Sequence, residues 1–197
     1  MYIWRKISDD ERKRVLAERK GRKLPWHSPP HIDFEGPATF IINAACFEHV
    51  PIIGRSADRM AECERNLLET CGNVGAKLFA WCILPNHYHL LVRTDRISEL
   101  RKEIGLFHGR SSRFWNQEDQ EIGRQTWFNF FDRNMKSARH YWVSLNYIHH
   151  NPVEHGYVKK WQDWPFSSAR IFLRDFGREK AEYIWRKYQE RELSSLF

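Results

Sequence analysis

The sequence predicts an α+β fold, a ferredoxin-like βαββαβ core with a mainly antiparallel sheet and two helices on one face. Three observations lead there. β-prone apolar runs and segments of helical period alternate as strand, helix, strand, strand, helix, strand. The two middle strands are joined only by the tight turn Leu84-Pro85-Asn86, which makes them a hairpin. Hydrophobic residues make up 42% of the 197, enough for one packed core with appendages.

Each element has its own local reason. Residues 1–35 form a basic extension in which residues 11–23 hold seven basic side chains against two acidic ones. A short helix is expected there, ending near Gly21, before Pro25, Pro29 and Pro30 interrupt regular structure. Residues 39–47 (TFIINAACF) read as the first strand. Ser56 is placed to cap a helix in which Met60, Cys63, Leu67 and Cys71 recur at helical spacing, with Gly72 and Gly75 ending it. Residues 77–84 and 87–93 are the hairpin strands. Ile97, Leu100, Ile104 and Phe107 mark a second helix running toward Phe114, and residues 126–131 (TWFNFF) a fourth strand. A third helix is predicted from Met135 to about His150, covering the other face of the sheet. Pro152 should end it, since proline disfavours helical backbone in the residue before it. An aromatic turn at 161–166 precedes a helix with Ala181, Ile184, Trp185 and Tyr188 on one face. The expected division is thus a 1–35 extension, a main domain at 36–175 and a helical tail at 176–197.

Composition narrows the function. Lys and Arg outnumber Asp and Glu by 32 to 25, a net charge of +7, and 15% of residues are aromatic. A basic, aromatic-rich chain suits a polyanionic partner, nucleic acid first. The apolar runs near residues 40–47 and 78–84 fall far short of the roughly 20 residues that span a bilayer. The first ten residues lack an apolar stretch, so no signal peptide and a cytoplasmic location are expected. Cys46, Cys63, Cys71 and Cys82 show no CxxC spacing and sit in apolar-periodic segments, which makes them reduced core thiols.

The residues able to do chemistry fall in two places. His87 and His89, in LPNHYHLLV, are two apart on a strand and share a face, while Tyr88, Leu90 and Val92 turn to the opposite, helix-covered side. Two neutral imidazoles side by side are a natural start for a divalent metal site. On the third helix, Ala138, Tyr141, Trp142, Leu145 and Ile148 form an apolar stripe at about 100° per residue. Tyr147 projects nearly opposite it, Asn151 shares Tyr147's face, and His140 and His150 flank it. An i, i+4 Tyr–Asn pair can bring a nucleophile and a third ligand to one place.

The run LPNHYHLLV, followed by NYIHHNPVEHGYV and WPFSSAR, resembles the single-tyrosine HUH transposases, and within them the REP-associated tyrosine transposases. The similarity spans roughly residues 37–172. It implies that His87 and His89 are the metal-binding HUH pair on a central strand, that Tyr147 is the nucleophile, and that Asn151 completes the metal site. Asn146 departs from the family, where an acidic residue commonly precedes the tyrosine. The resemblance further implies Mg²⁺ or Mn²⁺ as cofactor and single-stranded, hairpin-forming, REP-like DNA as partner. The reaction would be attack by Tyr147 on a phosphodiester, giving a 5′-phosphotyrosine and a free 3′-OH. His150 and His140 lie near Tyr147 in helical projection, and one of them or a metal-bound water would accept the phenolic proton. Arg12, Lys13, Arg14, Arg113, Lys136 and Arg139 are the candidate phosphate contacts. No membrane and no protein partner is expected, and a monomer is favoured over a homodimer. Metallo-β-lactamase, cupin and zinc-deaminase patterns are missing. The rival reading is a non-catalytic nucleic-acid-binding regulator of the same fold, using Trp115, Trp127 and Phe128 with Arg113 as a stacking surface.

Overall fold

Strand β3 (His87–Thr94) is buried on both faces, with only Arg93 of its eight residues exposed. It pairs antiparallel with β2 (Lys77–Leu84) on one side and β1 (Ala38–Ala45) on the other, and β4 (Phe131–Asn134) pairs antiparallel with β1 at the edge. The order is β2-β3-β1-β4. Because β1 and β2 flank a common antiparallel neighbour they run parallel, so their connection must cross over, and α2 (Ala57–Asn73) is that crossover. This is the predicted ferredoxin-like arrangement. The computed structural model describes residues 8–21, 31 and 34–188.

The helix α2 starts where its cap predicts: Ser56 Oγ accepts a hydrogen bond from the Arg59 amide at 3.1 Å. Its apolar side, Met60, Cys63, Leu67 and Cys71, packs with α3 (Ile97–Glu118) onto Phe40, Ile42, Tyr88, Leu90 and Val92 of the sheet. Truncating a fully buried member such as Leu67 to Ala costs about 2–5 kcal/mol. Buried Arg59 ties the two helices together: it donates to Ile52 O at 3.0 Å, to Asp119 at 2.6 and 3.0 Å, and to Glu118. Arg59 beside it, with Arg124, holds the Asp119 carboxyl well below the usual carboxylate range. The four cysteines are buried free thiols, and burial pushes Cys46 and Cys71 up to about 12, so they are inert.

A second core lies on the other face of the sheet. Ile41, Cys82, Leu84 and Leu91 meet Leu145 and Ile148 of α4 (Ala138–Glu154), Phe172 of α5 (Ala169–Phe176), and Ala181 and Ile184 of α6 (Arg178–Lys187). Asn146, the departure from the family pattern, has a local use here: its Nδ2 donates to the carbonyls of Ile184 at 3.1 Å and Tyr188 at 2.7 Å, satisfying the end of α6.

Four elements differ from the sequence reading. β4 forms on FDRN, not on residues 126–131; Trp127 and Phe130 instead turn into the first core. An edge strand needs only one ladder, so a polar segment serves, and the apolar run is taken by packing. The first strand ends at Ala45, and a short 3-10 turn occupies Phe47–His49. Helix α4 continues through Pro152 to Glu154. Proline removes one N–H, but the neighbouring bonds close around it: His155 N to Asn151 O at 3.0 Å and Tyr157 N to Pro152 O at 2.9 Å. Gly156, at φ 74°, turns the chain instead. The C-terminal segment holds two helices, α5 and α6, where one was expected.

The basic extension contains α1 (Asp9–Gly21), capped by Ser8, whose Oγ accepts from the Glu11 amide at 3.3 Å while Glu11 accepts from the Ser8 amide at 2.9 Å. The proline-bearing stretch at 24–30, the side chain of Arg12 and residues 189–197 lie outside the described residues. His31 pairs with buried Asp132 of β4, which also receives Arg101 of α3 at 2.8 Å. Among the described residues no helix is long and apolar enough to cross a membrane.

Candidate active site

The pleat of β3 sends Tyr88, Leu90 and Val92 into the first core and His87, His89 and Leu91 toward α4. The two imidazoles lie with ring centroids 4.9 Å apart at 76°. Helix α4 crosses above them. One of its faces carries Tyr147, Asn151 and His155 at i, i+4 and i+8. Asn151 Oδ1 is 2.9 Å from His87 Nε2, and the Tyr147 hydroxyl is 3.4 Å from His89 Nε2. The phenol ring stands edge-on to His89 at 4.9 Å. Thus His87, His89, Tyr147 and Asn151, drawn from two elements about sixty residues apart, converge on one point.

Burial sets the electrostatics. It pushes His87 down to about 4, and His89 well below its usual range with the neighbouring His87 adding to the effect. Burial thus favours the neutral form of both rings, in which one nitrogen of each carries a lone pair. Among the described residues no three His, Cys, Asp or Glu side chains cluster as a metal site, so a cation here would need the Asn151 amide as its third ligand. The donor set fits one: two imidazole nitrogens and an amide oxygen, all ligand types a divalent cation takes, converge there, with His87 Nε2 and Asn151 Oδ1 2.9 Å apart.

Three residues of this site were not singled out from the sequence. Asn86 Oδ1 lies 2.6 Å from His87 Nδ1, Asn43 Oδ1 lies 2.5 Å from His89 Nδ1, and the exposed His155 ring sits 4.9 Å from His87. The signal for His155 was its helical spacing from Tyr147 and Asn151, once α4 is allowed past Pro152. Asn43 becomes visible only from the β1–β3 register, which sets it opposite His89.

The two proposed proton acceptors do not join the site. His150 stacks on Trp185 of α6 at 3.3 Å and its Nδ1 meets Asn146 O at 3.1 Å. His140 is buried at the entry of α4, its Nδ1 3.5 Å from the Lys136 amide. The Tyr147 hydroxyl instead lies 3.4 Å from His89 Nε2. The helical projection misplaced these histidines because α5 and α6 cover the side of α4 it leaves to solvent; Asn146, His149 and His150 are all buried there. Tyr147 itself is half-buried against the second core.

The basic candidates divide. Lys136 and Arg139 are exposed at the entry of α4, about two to three turns before Tyr147. Lys13 and Arg14 are exposed on α1. Arg113 is exposed on α3, in the layer on the opposite face of the sheet from His87 and His89. Trp115 and Trp127 are buried in the first core and Phe128 is half-buried against Phe47, so they form no stacking surface.

Comparison with known proteins identifies relatives of this chain. The family described as Transposase IS200 like matches residues 54–151. A REP-associated tyrosine transposase of Haemophilus influenzae is 33% identical over 129 residues, covering 55% of this chain and 71% of the relative. A second, from Escherichia coli, is 33% identical over 118 residues, covering 54% of this chain and 60% of the relative. Among solved structures, a REP-associated tyrosine transposase bound to a REP hairpin superposes with a TM-score of 0.57 at 20% identity, covering 77% of this chain and 87% of that one.

Proposed function

The chain belongs to the REP-associated tyrosine transposases, and from that premise we propose that it is a metal-dependent single-strand DNA endonuclease and strand transferase that cleaves hairpin-forming DNA through a 5′-phosphotyrosine. One observation carries the reading: the Tyr147 hydroxyl points at the same pair of imidazoles that Asn151 approaches from the same helix face. A nucleophile beside two imidazoles and an amide able to hold a divalent cation is what metal-assisted in-line phosphoryl attack requires.

Each residue then has a task. His87, His89 and Asn151 would hold Mg²⁺ or Mn²⁺, whose charge polarises a non-bridging phosphate oxygen. Tyr147 supplies the attacking oxygen; the bond from phosphorus to the Tyr147 oxygen forms as the bond to the 3′-oxygen breaks. The departing 3′-oxygen takes up a proton, and the phenolic proton is lost to solvent. Because one phosphodiester replaces another, a second 3′-OH can reverse the step and join a new strand without an energy source. A phenol has a reference pKa near 10, so attack requires loss of its proton, which the charge of a cation bound beside it would favour. Lys136 and Arg139 supply phosphate contacts at the entry of the helix that carries the nucleophile. The partner we propose is single-stranded DNA with a REP-like hairpin, as in the solved relative bound to such a hairpin.

The test is covalent capture. Native protein with Mn²⁺ and a labelled hairpin oligonucleotide should yield a denaturant-stable adduct on the 5′-phosphate side. Tight hairpin binding with neither adduct nor cleavage would favour the non-catalytic regulator instead.

A further inference from the structure

The lone pairs of His87 and His89 face α4 only if the protons of both rings sit on Nδ1. A neutral imidazole has two tautomers, and the partner of one nitrogen decides which is populated. For His87 that partner is the Asn86 amide, and the direction of this amide is settled by a second bond. Asn86 Nδ2 donates to the carbonyl of His49 at 3.0 Å, which leaves Asn86 Oδ1 to accept from His87 Nδ1 at 2.6 Å. The order is thus His49 carbonyl, Asn86 amide, His87 ring, then Nε2, 2.9 Å from the Asn151 amide, which must turn its Nδ2 to the ring or share a cation with it when Nε2 carries the lone pair. For His89, the register of β1 on β3 sets Asn43 directly across the ladder, and Asn43 Oδ1 accepts from Nδ1 at 2.5 Å.

The Asn86 arm is braced at several points. The Cys46 amide bonds to Asn86 O at 2.8 Å and the Gly54 amide to Pro85 O at 2.8 Å. A Cβ on Gly54 would lie 2.3 Å from Pro85 Cβ, so only glycine lets this loop close on the hairpin turn. The carbonyl that orients Asn86 belongs to one of two consecutive non-glycine residues in left-handed backbone, Glu48 at φ 56° and His49 at φ 54°. Sparsely populated backbone of this kind persists where surrounding contacts over-determine it, and it clusters at functional sites.

We propose that Asn43 and Asn86 are positioning residues that lock His89 and His87 in the Nδ1–H tautomer, so that the metal-binding lone pairs are preformed before any cation arrives. This rests on the reading of His87, His89 and Asn151 as metal ligands. It assigns work to an amide on β1 and to a turn residue, neither of which touches the reacting atoms.

The experiment uses the full chain without metal and without DNA first. Nitrogen-15 NMR of the imidazoles should show the Nδ1–H tautomer for both rings of the native protein, and a mixed population for His87 in Asn86→Ala and for His89 in Asn43→Leu. Calorimetric titration with Mn²⁺ should then show affinity falling about 10- to 100-fold in each variant, with melting temperature monitored alongside. Asn43→Asp retains an acceptor and should restore both the tautomer and Mn²⁺ affinity, which a purely structural role would not require. An Nε2–H tautomer in the native protein, or Mn²⁺ affinity unchanged in folded Asn86→Ala and Asn43→Leu, overturns the proposal. Native protein that shows the Nδ1–H tautomers yet binds no Mn²⁺ would instead overturn the metal reading beneath it.

Discussion

The two faces of strand β3 bury imidazoles in opposite ways. On the α2–α3 side, His108 stacks flat on Trp127 at 4.2 Å and 8°, and its Nε2 is satisfied by the Tyr88 hydroxyl at 2.9 Å. Tyr88 is the residue between His87 and His89, so one strand feeds both arrangements. On the α4 side, the Nε2 atoms of His87 and His89 meet an amide oxygen and, at 3.4 Å, a phenol. The first histidine is a closed polar contact inside a core. The second pair is polar and buried too, but it faces a phenol and an amide on α4 that converge with it. Burial alone therefore does not mark function; the difference lies in how many groups able to ligate or attack are brought to one place.

The largest expected effect separates chemistry from packing. Tyr147→Phe deletes only a hydroxyl, which lies 3.4 Å from His89 Nε2, so stability should change by up to about 1 kcal/mol. The covalent DNA adduct, however, should vanish while hairpin binding persists. Adduct yield undiminished in this variant would remove Tyr147 as nucleophile.

Next comes a direct exchange between the faces. His87→Ala or His89→Ala should abolish Mn²⁺ binding and cleavage with most hairpin affinity kept. His108→Ala should do the reverse: Mn²⁺ binding intact, but about 2–4 kcal/mol of stability lost in denaturant titration, through the cavity and the orphaned Tyr88 hydroxyl. If His108→Ala also eliminated Mn²⁺ binding in folded protein, the two faces would be coupled and the contrast would fail.

Acid should expose the closed histidines. Burial holds His108 and His149 down at about 3, whereas the unfolded chain titrates near 6.5. Between those values the unfolded state binds protons that the native state does not, so stability is full above about pH 6.5 and falls as pH drops toward 3. Each such group contributes up to ~1.4 kcal/mol per pH unit in that window. His108→Gln should flatten the slope by nearly one proton; equilibrium melts between pH 7 and 4 with an unaltered slope would contradict this.

The smallest effect concerns the charged rims. Replacing Lys136 and Arg139 by Gln should lower the salt dependence of hairpin binding by about one unit of slope each. Arg113→Gln, on the opposite layer, should leave it alone. An equal loss from Arg113 would mean that DNA wraps onto the α3 side.

Much of the molecule was determined by the sequence itself. The bounds of β2, the Ser56 cap of α2, the turn before His87 and the shared face of His87 and His89 follow from period, capping and turn chemistry, all of which act within a few residues. The i, i+4 relation of Tyr147 and Asn151 is local in the same sense. Tertiary structure decided the rest. Which segment became β4 depended on which one matched the edge of β1, not on which was more apolar. Whether His150 or His89 stood beside the Tyr147 hydroxyl depended on α5 and α6 covering α4 and drawing His150 onto Trp185. Asn43 and Asn86 reached the imidazoles through sheet register and a braced turn. Periodicity states which face a side chain points to, but its partner is chosen by elements packed from elsewhere in the chain, and no local pattern carries that information.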